Sequence, residues 1–161
     1  VMTTLIHIMA NNTPLQGAYD DDVVGPDRTE VLSMYYDLST PRTDESGRTS
    51  GRTVLSPVTI VKRMDQISPS LQDAMKNGQR IDAQISVLVR NNLNESVIAH
   101  QYTLVDSRVT GIRVELPAFT SNSGALNPVP LERVSIQPGS FINETLFNGG
   151  AESTFNTSEF A

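Results

Sequence analysis

Residues 46–81 read SGRTSGRTVLSPVTIVKRMDQISPSLQDAMKNGQRI, and this stretch decides the fold. It opens as a polar loop bearing Gly47, Arg48, Gly51 and Arg52. The β-branched run from Val54 to Val61 then reads as a strand, taken here as 54–63. Ser68 suits a helix N-cap, Pro69 the first helical position and Gly78 the C′ position, with Leu71, Ala74 and Met75 on one stripe. A helix this short is marginal alone and must dock on a sheet. None of these residue types in this order builds a reaction centre; the order builds a structural part.

The strand at 54–63 is apolar on both faces: Leu55 and Val61 point one way, Val54, Val58 and Ile60 the other. Such a pattern means cover on both sides, by the core and by something else, for which a partner subunit is one reading. Pro57 has no amide to donate, so an edge or a bulge is expected there.

Outward from this stretch, alternation predicts further strands at 3–9, 30–38, 81–89, 96–105, 108–116, 131–137 and 141–147. In 30–38 the face is Leu32, Met34, Tyr36 and Leu38; in 81–89 it is Ile81, Ala83, Ile85, Val87 and Val89. Residues 11–28, 40–52 and 117–130 read as long loops. The expectation is therefore an all-β chain, a single-domain β-barrel or sandwich of about eight strands with one short α-helix, spanning 1–147. A polar tail follows at 148–161.

The 161 residues suit one domain, with 38% hydrophobic and 19% charged residues. A net charge of −6 with dispersed Lys and Arg excludes a nucleic-acid partner as the working expectation. There is no Cys, which removes disulfides and thiolate metal sites. No apolar run approaches the roughly 18 residues of a membrane-spanning helix, so no membrane insertion is expected. VMTTLIHIMA carries no basic residue before its apolar part, so any export is expected without a cleaved signal.

The candidates for chemistry are few. His7 and His100 both fall in predicted strands, and no G-x-S-x-G elbow is present. The acidic stretch Asp20, Asp21, Asp22, Asp27 and Glu30 invites a calcium-loop reading. Counted from Asp20, Gly25 fits position 6, but Val24 and Val31 fill positions 5 and 12, where ligands belong. The glycines before Val54 lead into a strand rather than a helix N-terminus, unlike a phosphate cradle. No enzyme activity, cofactor or metal is expected.

The block SPVTIVKRMDQISPSLQDAMKNGQRI at 56–81 resembles the Hcp family, the tube proteins of bacterial type VI secretion systems. Members show an (H/S)-x-P-(V/F)-x-(I/F)-x-K segment, an acidic residue, a Ser-Pro helix start and a Gly. Here these are Pro57, Val58, Ile60, Lys62, Asp65, Ser68, Pro69 and Gly78. The loop at 43–52 is similar to the family's extended loop.

The resemblance implies a homo-hexameric ring that stacks into a hollow tube, with spike, sheath and baseplate as partners and effector proteins in its lumen. It implies assembly in the bacterial cytoplasm and then secretion. Tail-tube proteins of contractile phage-like particles share the fold and are the alternative; a small-ligand-binding β-barrel or a hydrolase stands behind them. The subunit and inter-ring contact candidates are Arg42, Asp44, Glu45, Arg48, Arg52, Val54, Val58 and Ile60.

Overall fold

A computed structural model describes residues 2–40, 53–115, 130–146 and the backbone of 151–156. Among them lie thirteen strands and one helix. In chain order these are β1 (Thr3–Ala10), β2 (Thr13–Pro14), β3 (Tyr19–Asp21), β4 (Gly25–Glu30), β5 (Ser33–Tyr35), β6 (Leu38–Ser39) and β7 (Val54–Leu55). There follow β8 (Val58–Arg63), α1 (Ser68–Lys76), β9 (Ile81–Arg90), β10 (Ser96–Glu115), β11 (Leu131–Gln137), β12 (Ser140–Thr145) and β13 (Ala151–Asn156).

The main sheet runs β3-β4-β1-β9-β10-β11-β8-β5, with β12 beside β10, β13 beside β12 and β2 beside β1. β6 and β7 form a separate two-stranded ribbon. The all-β class with one short helix is as expected. The sheet is not closed into a barrel: among the described residues no ladder joins β3 to β5. It folds over on itself instead, and both halves share one core. Ile6, Ile8, Ile81, Ala83, Ile85, Leu104 and Phe141 come from one half, and Val58, Ile60, Val109, Val134 and Ile136 from the other. Leu71 and Ala74 of α1, with Ile67 before it, pack into the same core.

The fold turns on β10. The sequence predicts two strands, 96–105 and 108–116, but one twenty-residue strand runs through both. Its first half pairs with β9 and β12, and its second half pairs with β11. The register slips between Leu104 and Ser107, where Asp106 has φ 53°. A strand that slips register at a bend passes from one sheet layer to the other. Gly139 packs against this bend and donates to the Val105 carbonyl at 3.0 Å. A Cβ there would stand 2.7 Å from the Asp106 carbonyl oxygen, so only glycine fits without a shift.

Residues 11–28, read as a loop, contain β2, β3 and most of β4. The acidic run makes the β3–β4 turn: Asp21 Oδ1 accepts from the Val23 and Val24 amides at 2.8 and 3.1 Å, and Asp20 Oδ1 from Asp27 N at 3.3 Å. Short side chains that satisfy the backbone locally favour turns, and composition alone did not show that strands flank this one. The 30–38 strand is also broken. Val31 N donates to Thr4 O of β1 and Leu32 N to Val61 O of β8, so the chain changes partners between adjacent residues. That resets the phase. Val31 is buried and Met34 and Tyr36 lean on the core, while Leu32 and Leu38 are exposed.

In α1 the helix starts at Ser68, so Ser68 is not the N-cap; Ile67 is, without a side-chain bond. Gly78 does terminate the helix. Its φ is +60°, its amide reaches Met75 O and the Gln79 amide reaches Ala74 O, the paired closing bonds of a Schellman turn. Past residue 147, read from composition as a polar tail, 151–156 add β13 to the sheet edge.

Candidate functional site

The long polar segment at 41–52 is held by the ribbon at its root. Leu38 pairs with Leu55 and Ser39 with Val54. Just above that ladder, the Thr40 and Thr53 hydroxyls meet at 3.0 Å. Just below it, Ser56 N donates to Asp37 O at 2.9 Å and Asp37 N to Ser56 Oγ at 2.7 Å. Thr40 and Thr53, the residues that bracket 41–52, are therefore fixed side by side. Near that root, Tyr35, Leu38 and Val54 stand 53%, 43% and 51% exposed.

The predicted contact residues separate here. Arg42, Asp44, Glu45, Arg48 and Arg52 lie outside the described residues. Val54 is displayed on the ribbon, but Val58 and Ile60 are wholly buried in the subunit's own core. Pro57 lies between β7 and β8, where the pairing with 33–39 slips by one residue, Tyr35 facing Thr59 but Leu38 facing Leu55, so the irregularity expected at the proline is there. β8 is flanked on both sides, by β11 and β5. Val58 and Ile60 are covered by the core, and Thr59 and Val61 on the other face are only 6% and 7% exposed, so both faces of β8 are buried within one subunit.

Beneath β8 sits a buried charge cluster. Lys62 is the inward continuation of Val58 and Ile60, and both it and Glu132 are fully buried. The Lys62 ammonium donates to Asp65 Oδ1 at 2.8 Å, Ser68 Oγ at 3.0 Å and Arg63 O at 3.2 Å, which uses its three protons. Glu132 Oε1 lies 3.0 Å from the same nitrogen, at ion-pair distance without hydrogen-bond alignment, and Oε2 bonds no described group. Ser68 Oγ also accepts from Asp65 N at 3.1 Å, and Asp65 Oδ2 accepts from Thr29 Oγ1 at 3.1 Å. One cation so ties together β8, the helix start, β11 and, through Asp65, β4. This explains why Ser68 is no cap: its hydroxyl is held by Lys62 and Asp65.

Lys62, Asp65 and Ser68 stood in the motif, but Glu132 was missed. Its signal was its phase, since it shares a strand face with Val134 and Ile136, both fully buried.

The two histidines do not converge on a nucleophile. His100 Nδ1 meets Thr145 Oγ1 at 3.3 Å, and the His7 pKa is lowered, first by burial and then by the Arg28 charge, with Asp27 opposing. Among the described residues no group of three or more His, Cys, Asp or Glu could hold a metal ion. Among them, too, no helix is long and apolar enough to cross a membrane.

Comparison with known proteins places this geometry. The model of the family described as "Type VI secretion system effector, Hcp" matches residues 12–140, which include the ribbon, the charge cluster and α1. The chain belongs to the Hcp family. Hcp proteins are structural tube proteins and not enzymes. The major exported protein of Pseudomonas aeruginosa is 33% identical over 72 residues, covering 40% of this chain. That match spans 42% of the relative's length. A crystal structure of an Hcp protein superposes with a TM-score of 0.83 at 18% identity, covering 97% of this chain and 98% of that one. The secreted protein Hcp3 from Pseudomonas aeruginosa gives 0.74 at 17%, with 97% and 98% covered. Hcp1 from Salmonella typhimurium gives 0.71 at 18%, with 98% and 97% covered. The Hcp fold therefore extends over nearly the whole chain, β13 included.

Proposed function

We propose that this Hcp chain is the tube subunit of a type VI secretion system. Six copies close into a ring, and rings stack into a hollow tube that a contractile sheath propels. The observation that carries this reading is the family match over 12–140, joined to a fold likeness that runs the length of the chain. Spike, sheath and baseplate are the proposed neighbours of the tube, and effector proteins its cargo. Assembly is placed in the bacterial cytoplasm and export follows it, in keeping with the related protein that is named for its export.

A ring of identical subunits needs a heterologous interface that closes on rotation. The ribbon fits one part of it. It displays Val54 and holds 41–52 at a fixed root, so Arg42, Asp44, Glu45, Arg48 and Arg52 are proposed to meet a neighbouring copy. Val58 and Ile60 serve the interface only by fixing β8 beneath the ribbon.

The test is direct. Purified protein should scatter light as particles about six times 17.6 kDa and show annular views in negative stain. Replacing 47–52 with a short Gly-Ser turn should leave the subunit folded and abolish tubes. Compact single particles at every concentration would refute the tube reading; tubes that persist in the variant would refute the role of the segment.

A further inference from the structure

The outward face of the half built from β10, β11, β8 and β5 carries charge that neither the ribbon nor the buried cluster uses. Strand register sets its side chains in rows. Tyr35, Thr59, Ser135 and Gly111 are successive cross-strand partners, and so are Ser33, Val61, Arg133 and Arg113. The first row is low. The Thr59 and Ser135 hydroxyls bond each other at 3.1 Å, and Gly111 contributes no side chain. The second row stands above it and bears two guanidinium groups. Together they shape a shallow cleft of about 320 Å³, lined by Tyr35, Thr59, Gly111, Arg113, Arg133 and Ser135.

Like charges directly opposite each other on antiparallel strands repel. Arg113 and Arg133 are such a pair. A single carboxylate stands between them: Glu115 Oε1 is 3.0 Å from Arg113 Nε and 3.8 Å from Arg133 Nε. Both arginine side chains remain well exposed, at 75% and 44%. Among the described residues the cleft therefore keeps one positive charge beyond its single carboxylate, on a chain whose net charge is −6. Guanidinium forks match carboxylates in geometry, and two forks side by side suit an incoming carboxylate. Phosphate-rich nucleic acid is a poor occupant for a chain of this overall sign.

The complementary group is on the same chain. Asp20, Asp21 and Asp22 form its densest run of one charge. Asp20 and Asp21 spend carboxylate oxygens on backbone amides, but Asp22 is exposed and bonds no described group. We propose that the Arg113–Arg133 cleft of one copy receives the Asp22 carboxylate of the next copy. This inference rests on the ring reading above: every subunit offers both a basic cleft and an acidic turn, and contact between unlike partners makes the interface heterologous.

Two variants test it together, each checked first for unchanged thermal melting, since all three substituted side chains face solvent. One is Arg113→Glu with Arg133→Glu; the other is Asp22→Arg. Each alone sets like charge against like charge, so each should raise the concentration needed for ring formation about 100-fold or more. Mixed in equal amounts they should alternate around the ring, basic turn against acidic cleft and acidic turn against basic cleft, and recover rings. The milder Arg133→Gln should weaken assembly about tenfold, and serves if the double variant does not fold. Rings formed by the double variant at wild-type concentrations overturn the proposal, as does a mixture that fails to recover them. A wild-type protein that stays monomeric overturns the tube reading itself, which separates the two failures.

Discussion

The ribbon β6–β7 and the strand β8 stand on either side of Pro57 and read alike in the sequence, as one apolar, β-branched run. In the fold they do opposite things. β8 is buried on both faces, with Val58, Ile60 and Lys62 at zero exposure on one and Thr59 and Val61 at 6% and 7% on the other, while Val54 on the ribbon is half exposed. The difference comes from what each strand has beside it. β8 is central, between β11 and β5; among the described residues β7 pairs with β6 alone. Apolar residues on two faces of a strand thus identify cover without saying whether the subunit or its neighbour supplies it.

The largest effect should come from the inner side of this comparison. Lys62→Met removes the one cation shared by Asp65 and Glu132 and leaves the fully buried Glu132 carboxylate without a counter-charge. Breaking a buried pair in this way costs about 3–5 kcal/mol. Adding Glu132→Leu removes the carboxylate that has no hydrogen bond of its own and should recover a large part of the loss. Urea denaturation of the two variants measures this. If Lys62→Met alone unfolds at the wild-type midpoint, the cluster is not what fastens β8 to the helix start.

A second pair of substitutions sharpens the contrast across Pro57. Ile60→Ala should lose about 2–5 kcal/mol of folding stability, as core truncations do. Val54→Asp, on the exposed ribbon, should change folding by no more than about 0.5 kcal/mol. If the ribbon meets a neighbour, Val54→Asp should nonetheless weaken ring formation, read as particle mass against concentration. A Val54→Asp protein that both folds and assembles as wild type would leave the ribbon without a role in contact.

What was legible in the sequence was local. The end of α1 at Gly78 follows from one residue's freedom at φ +60°, and the spans of β9 and β11 follow from alternation. Where pairing partners change, alternation failed. Val31 and Leu32 bond different strands, so the stripe through Leu32 and Leu38 pointed outward instead of in. In β9 the phase also shifts: Ser86 and Leu88 are buried, while Val87 and Val89 are only partly so. Side-chain clusters assembled from distant positions left no local mark. Tyr36, Tyr102 and Phe141 are far apart along the chain, yet their ring centroids lie 4.9–5.9 Å apart in the core. Glu132 met Lys62 through a register that a single strand does not reveal. The proposed contact segment was legible as a polar stretch of unusual length, whereas the meeting of Thr40 and Thr53 that brackets it was not.

The smallest effect lies between the buried and the displayed. His7 on β1 is partly buried beside Arg28, which is itself 7% exposed and has Nε and Nη1 without described partners. Burial disfavours the imidazolium and the Arg28 charge adds to this, so the folded pKa lies below the unfolded value near 6.5. The sign follows from proton counting. At pH values under about 6.5 the unfolded chain takes up a proton at His7 that the folded subunit does not. Stability is therefore full above that value and declines as the pH falls through the window between the two pKa values. His7→Gln removes this one titration and should flatten the slope of the urea midpoint between about pH 6.5 and pH 5, with little change at pH 8. Because Asp27 opposes both larger influences, the flattening should be slight, and replacing Asp27 with Asn should steepen the decline in a chain that keeps His7. Equal slopes in wild type and His7→Gln would mean that the imidazole is as well solvated folded as unfolded, and that the neighbourhood of Arg28 is open to water.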